Sequence, residues 1–513
     1  MNPAQEISRA GWTLGGLGRF ERHFGAIVFL AGLTIRLALI HAFPLIHGAD
    51  SVARLVNSDK ILLAHQLPLL QTVIYLIARF TDGPLAVRYF MALAGAVAGV
   101  GAYRLGTDLL GRPGGFAAGL LFATQPFVLL YSIVPYQEIL MLGGLLFAFH
   151  YFLNERWLGA SACLGLACVS RYESWIACFV FVAAFVRQRG AGARQILGGL
   201  ALFGWAPLGW MAYQAAFAPA GTSALALSFS IEKFHRYLYL GYIGLTNTPA
   251  PAVLLALMGL WIVWNSRLWR ERGIFMAASF AVLFLAAVLF VGHGVRAEPD
   301  RYTTSREAHI PIVAGVFLAG IGLMRLPRYR SAVLVATTLT GLAMAVWFVH
   351  RDTSEPRLML SWETARYLDS HVGPTERAAV LAKPLPQDVL ARYLQEARDR
   401  GGEDAVQRAA KVLGAIDPSP LDSERVFVHS RLGKARLLSL ARFDWPDEFR
   451  RFKPPATVEN AVSRPAEIQW VAVWSDFKPS NEAEQRLAER IGNAAPVKIL
   501  ERGGATVRIY HLQ

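Results

Sequence analysis

Apolar runs separated by short, arginine-bearing loops constrain this chain more than any other feature. They lie at about 24–46, 85–104, 115–134, 138–153, 157–170, 174–186, 196–217, 250–265, 274–293, 309–325 and 331–349. A membrane-crossing helix needs about 20 apolar residues. With 513 residues, 54% hydrophobic and 17% charged at a mean hydropathy of +0.35, the chain is too apolar for an ordinary soluble protein and too long for one domain. The expected fold is a polytopic α-helical membrane protein of about eleven transmembrane helices. A formal charge of +14 would suggest nucleic acid in a soluble chain. Here the arginines sit beside spans, where they report topology, and no nucleic-acid partner is expected.

Leu67–Phe80 is apolar but short, and such a run suits an interfacial helix better than a span. With it left out of the count, the loops Arg104–Gly114, Asn154–Trp157, Arg187–Arg194, Asn265–Gly273 and Arg325–Arg330 all fall on the side of the N-terminus, and all contain Arg. The positive-inside rule then makes the N-terminus cytoplasmic, in a plasma (inner) membrane. Arg9, Arg19 and Arg22 precede a long apolar run without a small-residue cleavage site, which reads as an uncleaved first span. Cys163, Cys168 and Cys178 all fall inside apolar runs and read as small packing residues, without a disulfide framework or CxxC metal site.

This topology sends the charges that are costly in a membrane protein to one outer face. They are Asp50, Arg54 and His65 in the loop 47–84, Glu138 after Pro135, Arg171 and Glu173 in the turn 170–174, and Arg296, Arg301 and Arg306 in the loop 293–309. Charges at span ends facing a shared cavity default to a functional role. Structural roles compete with it. Asp50 suits a helix cap, Glu138 a first-turn carboxylate, and Arg171 with Glu173 a local ion pair. Arg301 and Arg306 suit lipid-headgroup anchors, and His65 a hydrogen-bonded interfacial side chain. The loop 218–249 contains IEKFHRYLYLGYIG (231–244), a second candidate interfacial helix.

After about 350 apolar density falls. Short β-like runs at 378–382, 425–430, 470–475, 497–503 and 506–512 alternate with helical stretches, and Gly503-Gly504 reads as a hairpin turn. The expected division is a membrane domain over 1–349 and a C-terminal α/β extracytoplasmic domain over 350–513, without a phosphate-binding glycine motif.

Four motifs carry a family resemblance: HGAD ending at Asp50, the pattern HxxPLLxxxIxLxxRF from His65 through Pro68 to Phe80, LxxxSRYESW at 166–175, and REAHIPIVAGVFLAG at 306–320. The first 350 or so residues resemble a GT-C type glycosyltransferase of the protein O-mannosyltransferase and aminoarabinose-transferase kind. Such enzymes take a sugar from a polyprenyl-phosphate carrier. The chain departs from the family pattern in two places: Ser51 follows Asp50 where Glu is common, and Glu307 follows Arg306 where Tyr is common, although Arg301-Tyr302 lies just upstream.

The resemblance implies Asp50 as the base that takes the acceptor proton, with inversion and no covalent sugar intermediate. It implies Arg306, Arg171 and Arg301 on the phosphate, where guanidinium forks match the oxygens and stabilise growing charge. Tyr302, Glu138, Glu173, Arg54 and His65 complete the expected donor site. The implied partners are a polyprenyl-phosphate sugar donor, an acceptor lipid, glycan or protein, and membrane lipids. A divalent metal bridging Asp50 and the phosphate is left open. Two other classes of function stand beside this one: a polytopic transporter, and a non-catalytic lipid-binding assembly protein of the envelope.

Overall fold

The computed structural model describes residues 23–43, 51, 54–55, 61, 67–80, 84–190, 192–217, 245–265, 309–326, 328–353, 360, 363–364, 367–368, 370–371, 378–381, 468–475, 477, 479, 482–492 and 494–512. They fall into two compact units. One draws on Met1–Ala42, Ile61–Val73 and Ala86–Val349, the other on Phe43–Lys60, Ile74–Leu85 and His350–Gln513.

Up to residue 353 the described elements are helical: α1 (Phe24–Ala42), α2 (Pro68–Ala78), α3 (Pro84–Thr124), α4 (Pro126–Tyr131), α5 (Glu138–Leu153), α6 (Trp157–Cys168), α7 (Trp175–Arg189), α8 (Ala193–Phe203), α9 (Trp205–Phe217), α10 (Ala250–Asn265), α11 (His309–Met324) and α12 (Arg330–Thr353). Among the described residues three stretches are long and apolar enough to cross a membrane, Phe24–Ala42, Leu85–Thr124 and Arg330–His350. The pair α8–α9 makes a fourth if taken as one span bent by 70°. The sequence reads 196–217 as a single run. The bend arises because Pro207, in the first turn of α9, has no N–H to give the preceding turn and crowds its carbonyl. Helix α2, with 11 residues, is about 16 Å long and too short to cross.

Helix α3 has 41 residues, and if straight would measure about 60 Å, twice the hydrocarbon thickness. It is broken at Gly111, whose φ of 74° is a left-handed value that glycine takes at no steric cost. Its halves fold back on each other. A Cβ on Gly106 would lie 2.9 Å from the Gly115 Cα, one on Gly119 3.0 Å from the Tyr103 Cβ, and one on Gly99 3.7 Å from the Ala123 Cβ. Small residues on both halves allow this approach, as is usual between helices in lipid.

The contacts sort the helix ends. Phe24 stacks on Phe116 at 4.2 Å, His150 Nδ1 lies 2.5 Å from Asp108 Oδ2, Arg189 sits over the Trp157 ring at 5.6 Å, and Met324 clusters with Leu110. The start of α1 and the arginine-bearing loops 104–114, 154–157 and 325–330 therefore share one end of the bundle, with the last turn of α7. At the other end His41 meets Tyr89 and Arg171 meets Glu138. Asn265–Gly273 lies largely, and the run 274–293 and the segment 231–244 entirely, outside the described residues.

Helices α10 and α11 run side by side in the same direction. A Cβ on Gly259 would overlap the Leu318 carbonyl, and one on Gly322 the Leu255 carbonyl, while Ile262 and Met324 meet at one end. Gly259→Val should therefore force the two helices apart and lower thermal stability in detergent by about 1–3 kcal/mol or more, the usual cost of overpacking. Gly198→Ala, with nothing within 4 Å of its Cβ, serves as the control. Equal melting temperatures for the two variants would refute the close packing.

In the second unit a four-stranded sheet has the order β1-β2-β4-β3, from β1 (Ala378–Leu381), β2 (Trp470–Trp474), β3 (Lys498–Arg502) and β4 (Ala505–His511). The β1–β2 pair is parallel and the other two are antiparallel. Gly503 and Gly504, at φ 54° and 80°, make the β3–β4 hairpin in the conformation that a two-residue turn requires. Strand β2 is apolar throughout because both its faces are covered: Trp470, Ala472 and Trp474 pack with Leu360, Leu368, Val507 and Ile509, and Val471 with Leu381, Leu487 and Ile491. The last two come from α13 (Glu482–Ile491), four residues apart on one helix face. The run 425–430 lies outside the described residues.

Candidate functional site

Glu138 and, some thirty residues later, Arg171 and Glu173 of one turn build a buried ionic cluster at the end of the bundle away from the arginine-bearing loops. Arg171 Nη1 donates to Glu138 Oε1 at 2.5 Å, its Nε lies 3.0 Å from each Glu173 carboxylate oxygen, and its Nη2 also donates to Glu173. The side chains of Arg171, Glu138 and Glu173 are 10%, 0% and 5% exposed. One guanidinium thus serves two carboxylates, a fork geometry a lysine would not supply.

Local structure fixes each partner. Glu138 opens α5 directly after the Pro135 turn, where the helix N-terminus favours a carboxylate. Arg171 is extended, at φ −148° and ψ 144°, and leads into a 3₁₀ turn over Tyr172–Ser174. Its N–H bonds the Ala167 carbonyl at 3.1 Å, and Trp175 Nε1 bonds the Cys168 carbonyl at 3.0 Å. The Leu69 N–H donates to the Val169 carbonyl at 3.1 Å, so the first turn of the short helix α2 docks beside the Arg171 turn. Trp210 Nε1 donates to the Tyr172 hydroxyl at 3.3 Å. Burial pushes the Tyr172 phenol above its ordinary value, partly offset by hydrogen bonds from Trp210 and Gln214. The ring stays neutral across the physiological range.

Behind this cluster stand two arginines that the reading of runs passed over. Arg36, within the first span, is 0% exposed; its Nε donates to Ser132 Oγ at 2.6 Å and its Nη1 to the Gly32 carbonyl at 2.8 Å. Arg88, 2% exposed, donates through Nε to the Ile133 carbonyl at 2.7 Å. Together they grip the turn that leads from α4 to Glu138. The signal was present, since a lone cation inside an apolar run marks a functional or structural centre.

An apolar cavity of about 300 Å³ lies among α3, α10, α11 and α12, lined by Leu121, Gln125, Pro249, Val253, Ile312 and Val316 among others. Gln125 Oε1 caps α4 by accepting from the Val128 N–H at 3.0 Å, while its Nε2 has no acceptor among the described residues. A hydrocarbon chain suits such walls.

The structure thus brings together Glu138, Arg171 and Glu173. Arg54 is 2% exposed and belongs to the other unit, as does Ser51, which is 0% exposed. Asp50, His65, Arg296, Arg301, Tyr302 and Arg306 lie outside the described residues. Among the described residues no group of three His, Cys, Asp or Glu could hold a metal ion.

No family model matches the chain, and no curated protein matches it. Among solved structures it is similar to ArnT from Cupriavidus metallidurans bound to undecaprenyl phosphate, at 13% identity over 97% of this chain and 98% of that one, with a TM-score of 0.49. It is also similar to the Archaeoglobus fulgidus oligosaccharyltransferase in the apo form, at 14% identity over 69% of this chain and 59% of that one, with a TM-score of 0.40. The same archaeal protein, AglB, in complex with an inhibitory peptide and a dolichol-phosphate, gives 13% identity over 69% of this chain and 58% of that one, with a TM-score of 0.41.

Proposed function

We propose that this chain is a membrane glycosyltransferase of about eleven spans that moves a sugar from a polyprenyl-phosphate donor to an acceptor hydroxyl on the extracytoplasmic face. The observation that carries this reading is the buried Glu138–Arg171–Glu173 cluster at the bundle end opposite the arginine-bearing loops. Under the positive-inside rule the loops face the cytoplasm, and the cluster the other side. Charges so well buried in a helical bundle mark a place where something polar is handled.

In this reading Asp50, on the loop 47–84, takes the acceptor proton as the sugar transfers with inversion. Arg306 and Arg301, with Tyr302, meet the donor phosphate, because guanidinium groups stabilise the charge that grows as the glycosidic bond breaks. Arg171 enters as the hub of the cluster, since its fork already holds two carboxylates. Helix α2 docks beside that turn, and the apolar cavity among α3, α10, α11 and α12 has walls that suit a lipid tail. The domain over 350–513 is extracytoplasmic in this reading.

The test is transfer itself. Purified protein in nanodiscs, supplied with a polyprenyl-phosphate-linked mannose or aminoarabinose, should release polyprenyl phosphate when an acceptor is added. Labelled solute uptake without such release would make the chain a transporter, and donor binding without release an assembly protein. Arg306→Ala should weaken donor binding by about 10- to 100-fold, the worth of one hydrogen bond to a charged group. Unchanged donor affinity would remove Arg306 from the site.

A further inference from the structure

We propose that Cys168 and Cys178 are a thiol pair that oxidises to an intramolecular disulfide, a covalent staple across the turn that presents Arg171 and Glu173. Their sulfurs lie 3.4 Å apart, in direct contact. Cys168 is the last residue of α6, and Cys178 lies in the first turn of α7. Both are buried, at 1% and 5% exposed.

The backbone between them is already fixed. Ser170 and Arg171 both donate N–H bonds to the Ala167 carbonyl, and Trp175 Nε1 holds the Cys168 carbonyl. Cross-linking therefore asks little of the main chain, and the sulfurs need approach by only about 1.4 Å to reach the bonding distance of about 2.05 Å. Cys163, on α6 and half-buried, is the remaining thiol and an internal reference.

The chemistry is thiol–disulfide exchange with a low-molecular-weight disulfide. One Cys thiolate attacks the oxidant and expels one oxidant thiol, leaving a mixed disulfide. The second thiolate then attacks the Cys sulfur of that mixed disulfide and expels the other oxidant thiol. The two cysteines lose two electrons and two protons, and the oxidant disulfide becomes two thiols. Burial in the packed bundle means that the exchange takes place while the turn is open, before or between packed states. The proposal rests on the sulfur contact and not on sugar transfer. Its operation in the cell rests on the outward orientation given above, since disulfides persist in oxidising compartments.

The experiment counts free thiols. Full-length protein is treated with oxidised glutathione or with dithiothreitol, freed of reagent, denatured in SDS and labelled with maleimide-polyethylene glycol. One adduct per chain, on Cys163, is expected after oxidation and three after reduction. In Cys168→Ser two adducts are expected under both conditions. Oxidised wild-type chain should also melt at a higher temperature than the reduced chain, and Cys168→Ser should show no such difference. Three adducts after oxidation, or oxidation captured only as chains cross-linked to one another, would overturn the proposal. Transfer activity is measured separately, so that loss of the sugar-transfer reading leaves the adduct count unaffected.

Discussion

Asp50→Asn should abolish turnover while donor binding stays intact. Removing a positioned general base lowers the rate by about 10²- to 10⁴-fold. Asn keeps the shape of Asp, so the loss falls on the chemical step and not on packing. Single-turnover transfer, with donor affinity measured on the same preparation, separates the two effects. A rate within tenfold of wild type would leave Asp50 as a helix cap. A parallel loss of donor binding would move it from proton transfer to donor recognition.

Legibility in the sequence followed the physics of each signal. The loop arginines predicted which helix ends belong together, because their placement is set by topology alone, and Asp108–His150 and Arg189–Trp157 tie those ends as the charge pattern implies. Strands β2, β3 and β4 and their Gly503-Gly504 turn were visible because period-two runs and paired glycines have few other uses. Glu138, Arg171 and Glu173 were singled out as charges at span ends, but only the folded chain shows them sharing one guanidinium. Arg36 and Arg88 were missed because a count of apolar runs absorbs a single cation. The Gly259–Leu318 and Gly322–Leu255 approaches were illegible for another reason: α10 and α11 are apolar all round, so no periodicity tells which face meets the neighbour. The bend between α8 and α9 turned on Pro207, a local breaker inside an otherwise continuous run.

Arg171→Met should cost the fold about 3–5 kcal/mol, because it strands Glu138 and Glu173 in a buried site without their shared cation. Each of the two carboxylates then faces a like charge and low-dielectric walls, and neither can reach bulk water without opening the turn. Arg171→Lys should recover only part of the loss, since a point charge cannot hold Glu138 through one nitrogen and Glu173 through two others. The decisive comparison is the triple variant Glu138→Gln, Arg171→Met, Glu173→Gln. With both carboxylates neutralised it should be more stable than Arg171→Met alone, because the single change exposes an uncompensated charge that the triple change removes. Chemical denaturation in mixed micelles measures all three. A single variant within about 1 kcal/mol of wild type, the range of an exposed pair, would mean that water reaches the cluster and that its burial does not organise this end of the bundle.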